Sequence, residues 1–409
     1  MQTVDRVNCD LTDPQNVRDP YPLYAQLRKM GPCWNDTLGG WCLSSFESVS
    51  RGLVDPELLA SRFTPYLERA AAKAETDRQE IELYEGLCRW FNFTDPPYHT
   101  KLRLLTQKVV TRPISQARPV TEQLVDERLD DAALNGGIDV VTELARPVAL
   151  GTVVSIMGVP PADFPQFTKW SKMMSTFIGG ALNVPDRREQ ALEAQKAMDK
   201  YFESMIAERR KNPSDDFISN MLAVEHPELG RFTDAEITAT SAMMLFAGHG
   251  TTTHAIGNLV LALLTHPEQL QLMRNDPTLV RAALEEALRW DSPVHLIARV
   301  AGRDGVAGIE DARKGDRVFL LLASSNRDPA NGENYEKFDI TRKDGGHNTF
   351  GTGIHTCLGA ALARMEASVL LTKLLARFKR IELGVEPHEL QWESAIGFRS
   401  LSALPIRVA

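Results

Sequence analysis

One cysteine near the far end of the chain stands in a setting suited to binding a metal ion. Residues 350–359 read FGTGIHTCLG, which places Cys357 among glycines, an aromatic residue and a histidine. Glycines at 351 and 353 permit positive φ angles and let a flat ligand approach the backbone closely. Helical sequence follows from Leu358, and a helix N-terminus stabilises the thiolate, the form of cysteine that binds metals. The pattern therefore predicts an iron-ligating thiolate at Cys357 in preference to an inert core cysteine.

Two other stretches place charged side chains at helical spacing. Glu286 and Arg289 are three residues apart, and the sequence NRDP follows at 326–329. Such a pair taken alone is typical of a solvated helix surface. His99 and Arg103 are four residues apart in the stretch DPPYHTKLR, so both can face one carboxylate-bearing ligand. Neither pair identifies a site without the cysteine segment.

Small and hydroxylated residues interrupt a long apolar run at residues 245–252, which read LFAGHGTT. Gly248 and Gly250 each cost about 1 kcal/mol relative to alanine inside a helix. The two glycines therefore predict a widened or kinked groove in that helix.

The elements that must position these residues are mostly helical. Thr233 and Glu236 form a capping box that opens an apolar run lasting to His266, which predicts one helix long enough to cross a domain. Residues 65–87 are charge-rich and helical in propensity, and they are predicted to form a mobile surface segment. Residues 326–347 lack a period and are predicted to form a long ordered loop.

Shorter elements surround the long helix. The further predicted helices are 20–30, 278–290, 358–378 and several amphipathic helices between 119 and 224. The predicted strands lie at 41–45, within 300–322 and in a final hairpin at 398–408.

Together these motifs resemble those of the cytochrome P-450 superfamily. The cysteine segment matches the haem-binding pattern F-G-x-G-x-H-x-C-x-G at every specified position. The E-x-x-R and D-P-P-x-H-x-x-x-R motifs match in family order, and the resemblance spans about Pro20 to Pro405. It implies haem b with the Cys357 thiolate as axial ligand. It also implies a mainly α fold with small peripheral β-sheets: one triangular domain, residues 1–409, with a long central helix over the haem.

The resemblance also implies roles for individual residues. Glu286 and Arg289 would form a structural clamp beneath the haem. The cofactor-binding residues would be His99, Arg103, Arg299, Phe350, Gly351, His355, Cys357 and Gly359. The residues of the oxygen-side helix with catalytic roles would be Ala247, Gly248, His249, Gly250 and Thr251.

The oxygen-side helix departs from the family pattern A-G-x-[D/E]-T at one position. Ala247, Gly248 and Thr251 match, but Gly250 stands where the pattern has an acid that relays protons. His249 is a candidate replacement, although a histidine there is more often on the outer helix face. Three routes stay open: water with Thr251, a polar group of the substrate, or peroxide as oxidant. The retained threonine favours the first.

By the same resemblance, the chain is a monooxygenase that hydroxylates, epoxidises or O-dealkylates a compact hydrophobic substrate. Stretches 288–293 and 339–343 resemble members that oxidise small aromatic acids or phenolic ethers, so a small aromatic is favoured. Tailoring of a terpenoid or polyketide is the alternative, and a haem sensor without turnover is disfavoured by the retained oxygen groove. The implied pocket residues are Trp90, Phe177, Met243, Met244, Val294, His295, Leu296, Ile297 and Phe398.

Composition limits the partners and the compartment. The 409 residues carry a net charge of −8, which argues against a nucleic-acid partner. Five scattered cysteines and the lack of a signal peptide or membrane-spanning run predict a cytoplasmic protein without an anchor. No dinucleotide-binding fingerprint is present, so electrons from NAD(P)H are expected through a separate ferredoxin or flavodoxin and its reductase. A monomer is expected.

Overall fold

The computed structural model describes residues 6–71, 77–181, 183–343 and 346–409. The helices are α1 (Pro14–Arg18), α2 (Tyr21–Met30), α3 (Phe46–Val54), α4 (Thr64–Ala71), α5 (Arg78–Leu87), α6 (Tyr98–Gln116), α7 (Arg118–Asn135), α8 (Arg146–Met157), α9 (Phe164–Ile178), α10 (Arg187–Lys211), α11 (Phe217–Ala223), α12 (Asp234–Thr265), α13 (Pro267–Asn275), α14 (Val280–Trp290), α15 (Leu322–Ser325) and α16 (Ala360–Arg377). The strands are β1 (Arg6–Val7), β2 (Cys33–Asn35), β3 (Gly40–Leu43), β4 (Leu58–Leu59), β5 (Gly137–Asp139), β6 (Ile297–Ala301), β7 (Arg317–Leu320), β8 (Ile381–Leu383) and β9 (Pro405–Val408).

The predicted long helix is confirmed as α12, which has 32 residues. The side chain of Thr233 accepts the amide of Glu236, and the side chain of Glu236 accepts the amide of Thr233, which completes the capping box. Most side chains along α12 are buried, because it packs against α8, α10, α14 and α16. A helix that is apolar on all sides is expected in such a central position.

Two small sheets lie beside the helices. The first has the strand order β1-β2-β3-β7-β6-β4, and the second has the order β5-β9-β8. In the first sheet β6 and β7 are antiparallel, with Arg299 opposite Val318. The strands predicted at 41–45 and within 300–322 are therefore confirmed as β3, β7 and the end of β6. Gly305 and Gly315, between these strands, both have positive φ angles.

Two predicted elements differ from the structure, and the predicted mobility of a third segment stays a prediction. The final hairpin at 398–408 is wrong, because β9 pairs with the distant β5 and β8 while Phe398 forms a single bridge to Val294. The last helix, α16, begins at Ala360, three residues after Cys357 and later than predicted. The segment predicted as mobile carries α4 and α5, and its residues 72–76 lie outside the described residues.

The stretch Val140–Met157 is apolar and long enough to cross a bilayer, yet 67% of it is buried inside the protein. It comprises a π-helical turn and α8, both of which pack against α12. The burial of this stretch and its packing against α12 are therefore those of a core helix.

Candidate active site

Backbone hydrogen bonds close the loop that carries Cys357. The Cys357 amide donates to the carbonyl of Phe350 at 2.8 Å, and the Gly351 amide donates to the carbonyl of Asn348 at 2.9 Å. Gly351 and Gly353 have φ angles of 67° and 77°, which a side chain would disfavour. Cys357 borders a cavity of about 500 Å³. The glycines of the sequence pattern thus serve the turn that presents the thiol to the cavity.

Opposing influences act on the thiol of Cys357. Burial raises its pKa, whereas the Gly359 amide and the guanidinium groups of Arg103 and Arg364 favour the thiolate. Burial prevails, so the pKa is raised overall. A metal ion bound to the sulfur reverses this balance, because a coordinated thiol is deprotonated.

Four basic side chains converge on one end of the same cavity. Arg103, Arg299 and His355 line it, and the ring of His99 packs on that of His355 with centroids 4.2 Å apart. Burial, followed by the charge of Arg299, lowers the pKa of His355 to about 3. Burial lowers the pKa of Arg299 to about 10. Burial is thus the main cause of both pKa shifts, and the charge of Arg299 adds to the shift of His355.

Several nitrogen atoms of the basic cluster have no hydrogen-bond partner in the described part of the chain. Neither ring nitrogen of His99, nor Nε2 of His355, has a partner among the described residues. The carboxylate of Asp95, which offsets part of the charge, already accepts the amides of Ala60 and Ser61 at 2.9 and 3.1 Å. Unpartnered buried groups cost about 1–3 kcal/mol each, so this cluster suits an anionic ligand. The two propionates of haem would supply the oxygens, and Cys357, which borders the same cavity, would be the thiolate ligand of its iron, so the residues fit haem.

Small residues of α12 border the cavity. Ala247, Gly248, Gly250 and Thr251 all line it, and the Thr251 hydroxyl donates to the Ala247 carbonyl at 3.4 Å. A Cβ on Gly248 would lie 2.9 Å from Val153, so this glycine is needed for helix packing. A Cβ on Gly250 would meet nothing nearer than a side-chain oxygen of α9 at 3.9 Å. Although α12 is continuous here, the glycine at 250 leaves open space beside the groove.

The structure corrects the prediction for His249. The side chain is buried outside the cavity lining, and its Nδ1 donates to the Leu245 carbonyl at 2.9 Å. Burial lowers its pKa to about 4, so the ring is neutral near pH 7. A neutral ring outside the cavity lining does not serve as the proton source at the groove. The residue is not on an outer face either, because α12 is surrounded by other helices.

A buried carboxyl group lies behind the groove on α16. Glu366 is fully buried, beside the hydroxyls of Thr152 and Thr252. Burial raises its pKa well above the usual value, and the two hydroxyls offset this only in part. Sequence reasoning missed Glu366, because an acid in an amphipathic helix is ordinarily exposed.

Seven of the nine predicted pocket residues line the cavity: Phe177, Met243, Met244, Val294, Leu296, Ile297 and Phe398. Trp90 and His295 do not. Trp90 is a core residue whose ring lies 5.4 Å from that of Phe246. The side chain of His295 is buried on the side of Tyr24, whose hydroxyl lies 2.9 Å from its Nδ1. The pocket assignment of these two residues is therefore wrong.

Sequence reasoning also missed Arg62, which lines the cavity. Its guanidinium lies over the rings of Phe63 and Phe93, at 5.0 and 4.7 Å from their centroids. Burial, and then the charge of Arg299, lowers its pKa to about 10. No carboxylate pairs with it in the described part of the chain. Arg62 belongs to no motif and lies between short elements, so no sequence pattern marks it as a cavity residue.

The predicted clamp is a buried ion pair. Glu286 and Arg289 approach to 2.7 Å, and each side chain is 3% exposed. Arg289 also donates to the carbonyls of Asn326, Tyr335 and Lys337, at 2.9, 2.8 and 3.0 Å. These bonds attach α14 to the chain segment that leads into the Cys357 loop.

Comparison with known proteins agrees with this geometry. The family model for Cytochrome P450 matches residues 166–401, more than half of the chain. Cytochrome P450 107B1 of Saccharopolyspora erythraea is 34% identical over 408 residues, covering 97% of this chain and 96% of that protein. The 6-deoxyerythronolide B hydroxylase of the same organism is 29% identical, covering 95% and 96%. The chain therefore belongs to the cytochrome P450 family.

A solved structure gives the same result for the fold. P450BioI, in complex with hexadec-9Z-enoic acid ligated acyl carrier protein, matches with a TM-score of 0.88 at 30% identity. The match covers 97% of this chain and 100% of that one. The mainly α cytochrome P450 fold is thus confirmed, and the protein is an oxidoreductase of the monooxygenase type, as its relatives are named.

Proposed function

We propose that this enzyme inserts one atom of dioxygen into a compact, mainly apolar molecule. The observation that carries the proposal is one cavity bordered both by Cys357 and by Ala247, Gly248 and Thr251 of α12. Haem b bound there would supply oxygen activation, which an axial thiolate promotes. The chain would act as one domain of residues 1–409.

The basic cluster would hold the cofactor. His99, Arg103, Arg299 and His355 would face the propionates, and Arg62 would add a further cation beside Arg299. The loop that contacts the cofactor would contribute Phe350, Gly351, Cys357 and Gly359.

Proton supply would depend on water and Thr251, because Gly250 carries no acid. The open space beside Gly250 is the place where water can enter the groove. In Gly250→Glu we expect more product for each NADH consumed, while Gly250→Gln, of the same size, gives no such gain. An unchanged or lower yield in Gly250→Glu would contradict a relay that is weakened at this position.

The substrate would be compact and largely apolar. The lining includes Phe63, Phe177, Met243 and Phe398, and apolar pockets of this kind bind apolar bodies. A small aromatic fits these rings. Similarity to the 6-deoxyerythronolide B hydroxylase favours a second candidate, the tailoring of a polyketide. Displacement of the haem's water ligand by members of each compound class, followed in the absorption spectrum, would distinguish the two.

Electrons would come from NAD(P)H through a ferredoxin or flavodoxin and its reductase. The test is turnover of a bound compound with these partners under ¹⁸O₂. One labelled oxygen atom in the product is expected. Product that is labelled only when the peroxide carries the isotope would instead make peroxide the oxidant.

A further inference from the structure

A histidine of α12 lies at the wall of the cavity without a hydrogen-bond partner. His254 is four residues after Gly250, one helical turn along the same face, and it lines the cavity. Its Nδ1 is buried with no partner, and no hydrogen bond reaches the ring within the described residues. The ring is packed against Phe398, with centroids 6.0 Å apart. It is therefore held in place by packing alone.

The cavity that His254 lines is mostly apolar, and Arg146 and His249 are the charged or polar side chains that act on the ring. Phe398 packs against the ring, and Phe177, Ile178 and Ile396 line the same cavity. Ser175 of α9 also lines the cavity, and its hydroxyl is the atom nearest to a Cβ built on Gly250. The absence of a side chain at 250 thus keeps a polar corner open between α9 and α12.

We propose that His254 is a specificity-determining residue that accepts or donates a hydrogen bond to a neutral hydroxyl or carbonyl group of the substrate. The proposal rests on the proposed function, because it takes the cavity as the substrate pocket. Nδ1 has no exposed surface, so the ring would meet a ligand in the cavity through Nε2, to which no hydrogen bond is made within the described residues. A substrate would thus combine an apolar body, held by the phenylalanines, with one such group at this corner.

The charge state of the His254 ring determines which polar groups of a substrate can pair with it. Burial, followed by the charges of Arg146 and His249, lowers the pKa of His254 to about 3. A neutral imidazole has one donor and one acceptor, so it pairs with a hydroxyl or a carbonyl. A carboxylate of a substrate would bind less strongly at this position, because the ring carries no positive charge.

The test measures binding of three compounds that share one body: tetralin, 2-tetralol and 2-tetralone. Their dissociation constants are measured by calorimetry on the haem-loaded protein, for the wild type, His254→Phe and His254→Gln. The matched control is His388→Phe, at an exposed position outside the cavity.

In His254→Phe we expect binding of the tetralol or the tetralone to weaken about five- to tenfold relative to tetralin, as for the loss of one hydrogen bond. His254→Gln should retain part of the preference for the tetralol or the tetralone over tetralin, and His388→Phe should retain all of it. Equal changes for all three compounds, or no preference in the wild type, would overturn the proposal. Calorimetry reads binding even if turnover fails, so failure of the proposed function remains distinguishable.

Discussion

Replacing Glu286 by glutamine tests how the fold holds the cysteine loop. Glu286 faces two cations, because Arg289 lies 2.7 Å away and Arg342 lies 3.3 Å away. Its carboxylate also accepts the amide of Asp339 at 2.8 Å. Glutamine keeps one acceptor but removes the charge, which leaves the nearly buried Arg289 facing only carbonyls. Breaking one side of a buried pair costs about 3–5 kcal/mol.

The matched control is Glu47→Gln, which removes a helical pair of the same residue types with Arg51 at the surface. Those two side chains are 82% and 52% exposed, so the expected loss is about 0.5 kcal/mol or less. Urea unfolding of the haem-loaded proteins gives the change in the free energy of unfolding for each variant. The absorbance of the haem shows whether the cofactor is lost. A decrease below about 1 kcal/mol in Glu286→Gln would refute the inference that buried charge pairing stabilises this region.

Four further substitutions have defined outcomes. Gly250→Ala should raise the free energy of unfolding by up to about 1 kcal/mol, because its Cβ meets open space. Gly248→Ala should lower it, because its Cβ would lie 2.9 Å from Val153; equal effects in urea unfolding would contradict the packing. Burial raises the pKa of Glu285, but hydrogen bonds from two basic neighbours outweigh it and lower the pKa to about 2. The stability from Glu285 is therefore present above its ordinary pKa of 4.5 and lost as pH falls toward 2, so unfolding curves of wild type and Glu285→Gln should converge over that range. Arg62→Met should speed haem transfer to apomyoglobin several-fold, and an unchanged rate would exclude Arg62 from the cofactor's surroundings.

The sequence predicted the site best where local geometry determines it. The glycines at 351 and 353 indicate a turn, and the capping box with its apolar run indicates α12. Both are visible in the sequence because the backbone of a turn and the packing of a buried helix restrict which residues can occur there. The final hairpin failed because β9 finds its partners among distant strands. His249 and His295 failed because one residue of register decides whether a side chain faces the cavity or the core.

Arg62, His254 and Glu366 had no signal in the sequence for a related reason. Each acquires its significance from burial and from neighbours that are distant in the chain. Arg62 is notable because no acid pairs with it in the described part of the structure, and Glu366 because its helix is packed against α12. Such properties appear only when the elements are assembled.

The ligation of haem iron by the Cys357 thiolate is the central claim, and carbon monoxide tests it most directly. The haem-loaded protein is reduced, exposed to carbon monoxide and compared with Cys357→Ser prepared in the same way. We predict that the wild type shows the absorption band from which the cytochrome P450 family takes its name, and that the variant lacks it. Absence of the band in the wild type, or its persistence in Cys357→Ser, would contradict thiolate ligation by this residue.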